Sequence, residues 1–269
     1  MKLIIREYLG ALKERTELDA VLPDLLVSMG LRMHIRPQIG VAQYGVDLMC
    51  HGKDPKDGVE KAFLFVVKPG DIDRVGWHAS GQGVKDSLDE ARTTYLSTLL
   101  PAQLNLLPVK IVVCCGGELV QGMNVHWEGY VRTNANSKLE FDLWDGDYLA
   151  QLVEQHLLNE YLLPAKSRGL LRKCIALIDQ PDKGSLAFAQ FLESIKPGDT
   201  SSPTSKAKSI RTAHCALRVI HGWGVREGNL KLPYEAAEQL LLWTWSLCRK
   251  HKIVQVKKAT QLGECFSRV

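Results

Sequence analysis

Gln43-Tyr44-Gly45-Val46-Asp47-Leu48 and Phe63-Leu64-Phe65-Val66-Val67-Lys68-Pro69-Gly70-Asp71-Ile72 are the two stretches that decide the reading of this chain. The first predicts a strand over Val46 to Cys50 that carries a carboxylate. The second predicts a strand over Ala62 to Lys68, and its unbroken apolar run implies burial on both faces. The polar stretch from Cys50 to Lys61 reads as the hairpin loop between them. A carboxylate on one strand and a lysine on the next are what metal-dependent phosphodiester chemistry requires. The acid holds a hard cation such as Mg²⁺, and the amine steadies an attacking water or the developing phosphate charge.

Working outward, residues 2–15 mix apolar and charged positions at helical spacing. Thr16-Glu17-Leu18-Asp19 looks like a capped helix start, with Asp19 in the capping-box place. Leu18, Val21, Leu22, Leu25 and Leu26 give that helix one apolar face, and Gly30 is a natural stop. Leu31 to Ile39 predicts a first strand. After the central pair, Leu88 to Leu99 predicts a helix and Val109 to Cys115 a second continuous apolar strand, ended by Gly116-Gly117. Gly129 to Thr133 and Leu139 to Leu143 read as further strands around the turn formers Asn134 to Ser137. Asp145-Gly146-Asp147 caps a helix whose inward face is Leu149, Leu152, Val153 and Leu157. This order implies an α/β domain with a central mixed β-sheet flanked by helices.

Beyond Pro164 no strand pattern remains, so the chain divides into an α/β domain over 1–165 and an α-helical module over 166–269. The second half predicts helices over 168–179, 184–195, Ile210–His221 and Tyr234–His251, with a linker-like stretch at about 196–209. Apolar residues almost all round the last helix, including Trp243 and Trp245, predict burial.

The 269 residues suffice for a sizeable core. The net charge of +4 is unevenly spread. Residues 1–165 hold 16 Lys and Arg against 22 Asp and Glu, and residues 166–269 hold 18 against 8. The basic half is therefore the better candidate for phosphates or an acidic partner, although a solvated helical surface explains the same charge. Seven cysteines without CxxC spacing suggest buried thiols in a reducing cytoplasm rather than zinc or disulfides. No apolar run is long enough for a membrane span. Gly116-Gly117 lacks the GK[ST] of a nucleotide cradle, and no GxSxG is present.

A leading helix with an acid, then Gly45-Val46-Asp47-Leu48, then a strand ending in Lys68 and a following helix together resemble the PD-(D/E)XK nuclease superfamily. More closely, residues 6–163 resemble restriction-endonuclease-like effector domains of bacterial anti-phage defence proteins. The resemblance implies catalytic and metal-binding roles for Asp47 and Glu17, with Glu14 and Glu7 as fallbacks for the helix acid. It implies catalytic Lys68, and Gln82 as the polar residue that orients water or phosphate. It also implies Mg²⁺ or Mn²⁺, DNA as substrate, and activation by homo-oligomerisation or a defence-system partner.

One position departs from the pattern. The second acid belongs two residues before the lysine, where alternation puts both side chains on one face. Here that residue is Val66, which cannot ligate a hard cation. Either Asp71 or Glu17 supplies the missing oxygen, or the site is degenerate and the fold serves as a nucleic-acid-binding or oligomerisation module. An RNA nuclease and a helical signalling adaptor are further alternatives. Asp71 in Pro-Gly-Asp also reads as a turn former, Lys68 as a lysine at a strand end, and His51 and His78 as solvated loop histidines. Lys206, Lys208 and Arg211 read as a solvated linker patch or a phosphate contact.

Overall fold

The computed structural model describes residues 2–12, 17–37, 43–157, 159–198 and 201–249. The candidate helix acid Glu14 and the candidate cap Thr16 lie outside them. The chain forms two compact units, one ending at Leu157 and the other beginning at 158.

The first unit begins with α1 (Lys2–Gly10) and α2 (Asp19–Ser28), followed by β1 (Arg32–Ile35), β2 (Leu48–Lys53) and β3 (Glu60–Lys68). Short helices α3 (Arg74–His78), α4 (Val84–Glu90) and α5 (Leu96–Thr98) come next, the last two joined by a π-turn at Ala91–Tyr95. The unit closes with β4 (Val109–Cys115), α6 (Asn124–Asn134), β5 (Leu139–Trp144) and α7 (Gly146–His156). The five strands lie in sequence order. β1, β2 and β3 are antiparallel neighbours, while β3, β4 and β5 run parallel, giving a mixed sheet.

β3 and β4 are the inner strands, and every residue from Lys61 to Val67 and from Val109 to Cys115 is buried. Strand alternation separates their side chains into two cores. Ala62, Leu64 and Val66 join Ile111 and Val113 beneath Trp77 of α3, Val84 and Leu88 of α4, and Tyr130 of α6. Phe65 meets Trp144 edge-on at 5.2 Å between ring centroids. α7 starts as its sequence predicts, with Asp145 Oδ1 accepting from Tyr148 N at 2.8 Å. Its Leu149, Leu152 and Val153, and the following Leu157, are buried.

Three expectations require correction. Residues 129–133 are helix, not strand, because Trp127, Tyr130 and Val131 recur at helical spacing and Tyr130 turns into the core. β2 continues to Lys53 and β3 begins at Glu60, so half of the expected hairpin loop is strand. β1 stops at Ile35, before Arg36 and Pro37, and residues 38–39 of the expected strand lie outside the described residues.

The second unit is helical: α8 (Ala165–Ala176), α9 (Pro181–Ser194), α10 (Pro203–Glu227) and α11 (Lys231–Arg249). α9 packs on α8 and α11 through Phe188, Phe191, Leu192, Leu232, Ala236 and Leu240, all buried. α10 starts earlier than expected, with Ser202 capping Ser205 N and Pro203 in the first turn, so the linker ends at Ser202. Gly228, with φ of 68°, stops it. Lys206 is thus a buried residue of α10 rather than part of a solvated linker. α11 is not buried all round, since Tyr234, Leu241, Leu242 and Trp245 are each more than half exposed. No helix among the described residues is long and apolar enough to cross a membrane.

Candidate active site

Asp47 and Lys68 lie at one end of the sheet because β2 and β3 are antiparallel. β2 opens just after the acid and β3 closes on the lysine. This is also the carboxyl end of the parallel strands, where ligands of open α/β sheets usually bind. A tight turn, closed by Val46 N donating to Gln43 O at 3.0 Å, aims the acid. Both central residues, Tyr44 and Gly45, have positive φ (48° and 76°), as in a type I′ turn. Asp47 N donates to Phe65 O at 2.8 Å, and Asp47 Oδ2 accepts from Val67 N at 2.7 Å. The half-buried carboxylate is therefore pinned to the backbone of the residue preceding Lys68.

Lys68 Nζ donates to Gln82 O at 2.8 Å and to Ser87 Oγ at 3.1 Å. An ammonium has three donors, and both of these partners are neutral. Among the described residues no carboxylate lies within 4.0 Å of Lys68, and one N–H is left for an external acceptor. Gln82 enters the arrangement through its main chain, and its side chain belongs to an exposed residue. Ser87, which sequence reasoning missed, arrives because α4 packs over β3. Only the fold could reveal that neighbour.

The other predicted acids stand differently. Asp71 follows β3 and is exposed, and its Oδ1 accepts from Glu118 N at 2.9 Å. It clamps the turns after β3 and β4, which sit so close that a Cβ on Gly117 would lie 2.1 Å from that same oxygen. Glu17 is half-buried in the turn entering α2, and Glu7 is exposed on α1. Val66 has no exposed surface and belongs to the apolar core. Cys115, at the same end, is an unreactive thiol, pushed up to about 12 by burial and then by the nearby Asp145 carboxylate.

A second charged cluster occupies the opposite end of the sheet. Asp54, Asp57 and Glu140 each place a carboxylate oxygen within 4.8 Å of the others, a spacing that can hold a metal ion. Two ammonium groups already serve these acids. Lys61 Nζ lies 3.0 Å from Asp54, 2.5 Å from Asp57 and 2.8 Å from Glu140. Lys110 Nζ pairs with Asp54 and lies 3.2 Å from Glu140. Asp54, Lys61 and Lys110 are all buried. A lysine one residue inside each apolar strand was the available signal for this cluster, and hydropathy reading passes over it.

Burial works against ionisation of Asp54, but hydrogen bonds from Lys110, Lys56 N and Lys61 outweigh it and hold the carboxyl below its usual value. Glu140 is lowered in the same way, burial being overcome by Lys61 and Lys110. Burial also opposes the charge of Lys61, yet its three carboxylate partners raise it. A depressed carboxyl stabilises the fold above its unfolded value and loses that contribution as pH falls through the folded one. Urea denaturation should therefore show a midpoint that falls as pH drops below about 4, the unfolded carboxylate range. The fall should be shallower for Asp54→Ala. Equal slopes for the two proteins would remove Asp54 from the acid response.

His51 is on β2 rather than in a loop, and its Nδ1 lies 2.6 Å from Nε2 of His34 on β1. Burial, then His51 and Arg32, lower the basicity of His34. His78, at the end of α3, meets His126 ring-edge to ring-face at 5.5 Å between centroids.

Comparison of the chain with protein-family models, with curated proteins and with solved structures returned no match.

Proposed function

We propose that the first unit is a metal-dependent phosphodiesterase of the PD-(D/E)XK, restriction-endonuclease-like kind, cleaving DNA as a defence effector. The observation that carries this reading is the Lys68 ammonium. It is held by two neutral acceptors at the carboxyl end of the sheet, the same end at which the backbone-pinned Asp47 carboxylate lies. A positive group with an uncommitted donor suits a phosphate oxygen or an attacking water. The order of helix, three strands, helices and strand around Asp47 and Lys68 supports the same reading.

Asp47, with Glu17 or Asp71, would hold Mg²⁺ or Mn²⁺. The donor chemistry fits, since Mg²⁺ commonly takes one or two carboxylates and fills its remaining positions with water and substrate phosphate. When bound, the ion supplies charge stabilisation at the phosphoryl oxygens. Lys68 places the water or phosphate, and Ser87 and the Gln82 carbonyl hold the lysine in position. The helical second unit would provide the homo-oligomer or partner contacts that restrain a toxic activity.

Incubating the full chain with plasmid DNA and either Mg²⁺ or Mn²⁺ tests the proposal. Cleavage should be abolished by a chelator. Asp47→Ala should slow it at least about a hundredfold, equivalent to the several kcal/mol a metal contributes. Lys68→Ala should also lose activity while still binding DNA. Cleavage of RNA but not DNA would transfer the proposal to RNA.

The buried Val66 favours a second reading, a degenerate nuclease fold that binds nucleic acid or mediates assembly without cutting. Intact DNA with both metals at high protein concentration, together with retained binding, would establish that alternative.

A further inference from the structure

From the geometry of β1 and β2 we infer that His34 and His51 form a binding site for one borderline-soft divalent cation of the Zn²⁺, Ni²⁺ or Cu²⁺ class. The inference does not depend on the Asp47–Lys68 reading. In the β1–β2 ladder Arg32 pairs with His51, Met33 with Cys50 and Ile35 with Met49. His34 is therefore the extra residue of a β-bulge. Bulges bend a strand and re-aim a side chain, and they concentrate beside functional sites. Here the bulge brings Nε2 of His34 to 2.6 Å from Nδ1 of His51, with ring centroids 4.8 Å apart.

At that distance only one of the two facing nitrogens can carry a proton, so the other presents a lone pair, which is what imidazole offers a metal. Zn–N bonds are about 2.0–2.1 Å, which sets two tetrahedral ligands a little over 3 Å apart. A small rotation of either ring opens the pair by the difference and replaces the proton between them with a metal ion.

The surroundings fit an ion with open positions. The half-buried pair faces a cleft of about 320 Å³ that Glu60 and Gln103 also line. His51 stands opposite Ala62, so Glu60, two residues away on the same strand face, is its diagonal neighbour within reach of a long side chain. Glu60 brings a negative charge to the cleft, and water can complete the shell. Arg32, opposite His51 and lining the same cleft, opposes a cation there, and Glu60 is the acid of the cleft that offsets it. Imidazole donors select this class of cation over Mg²⁺, which requires oxygen.

Titration of the full chain with Zn²⁺ alone, followed by imidazole NMR signals, tests the site. The His34 and His51 resonances should move first and saturate at one equivalent, while Mg²⁺ leaves them unchanged. His34→Ala and His51→Ala should each weaken Zn²⁺ binding by at least about tenfold, since even outer partners of a metal site commonly cost that much. Asp47→Ala and Asp57→Ala should bind as the parent does, separating this site from both carboxylate groups. Circular dichroism of each variant guards against misfolding, and the resonance order in the parent chain decides the matter independently of any variant. Prior movement of other histidines, undiminished binding in the double histidine variant, or no saturation at equimolar Zn²⁺ would overturn the inference.

Discussion

Asp54→Ala is expected to destabilise the first unit by about 3–5 kcal/mol, the cost typical of breaking a buried ion pair by deleting one partner. Asp54 and Glu140 are each shared by the two buried ammonium groups, Lys61 and Lys110, and of these two acids only Asp54 is buried. Without it, two positive charges remain side by side beneath the sheet. They are then served only by Glu140 and Asp57, whose side chains are each 43% exposed. Part of that charge is screened by water, so these acids cannot replace a fully desolvated partner. Asp57→Ala is the matching control. Its pair with Lys61 has an exposed end and should cost no more than about 1 kcal/mol. Urea denaturation of the full chain, with native-state hydrogen exchange at β3 and β4 amides, assigns the loss to this unit. A loss for Asp54→Ala as small as the control would mean that water, not Asp54, solvates the lysines.

Gly45→Ala should lower stability by about 2–4 kcal/mol and displace the lysine anchor. Gly45 has φ of 76°, and a Cβ there would lie 2.1 Å from Ser87 O and 2.9 Å from Ser87 C. Left-handed backbone at a non-glycine residue costs about 1–3 kcal/mol. The rest comes from pushing apart two backbones that cannot flex as a side chain would. Ser87 also accepts from Lys68, so the displacement reaches the candidate site directly. Gly30→Ala separates the two costs, because its φ is 85° but nothing lies within 4 Å of the added methyl. If both variants lose the same stability, the clash with Ser87 is relieved without cost and α4 is not seated by Gly45. If Gly45→Ala loses more and its Lys68 amine signal changes environment, the glycine of the Gly45-Val46-Asp47 run is what sets α4 over the lysine.

Local patterning and tertiary neighbours contribute unequally to this molecule. The inner strands were legible, because the apolar runs ending at Lys68 and Cys115 allow burial on both faces and little else. The start of α7 was legible for a local reason too, since Asp145 caps its own helix. α6 was misread because Gly129 and the β-prone Tyr130 and Val131 suggest a strand in a short window. Packing of Trp127 and Tyr130 against the core overrides that preference. The exposed stripe on α11 was also hidden, since its all-round apolarity does not say which side neighbours cover. In the candidate site, residue types and spacing pointed to Asp47 and Lys68. They could not show that Asp71 holds the neighbouring turns together or that Ser87 seats the lysine.

By itself, then, the order of residues determined which segments become inner strands, where α7 begins and which acid and amine share one end of the sheet. The first two follow from hydrogen bonding and periodicity within a few residues, and the third from the antiparallel pairing of two strands adjacent in sequence. Tertiary structure alone decided that Lys61 and Lys110 share Asp54, that a bulge turns His34 onto His51, and that Gly45 lies against Ser87. Each depends on side chains or backbones far apart in sequence, and only chain closure brings them within a few ångströms.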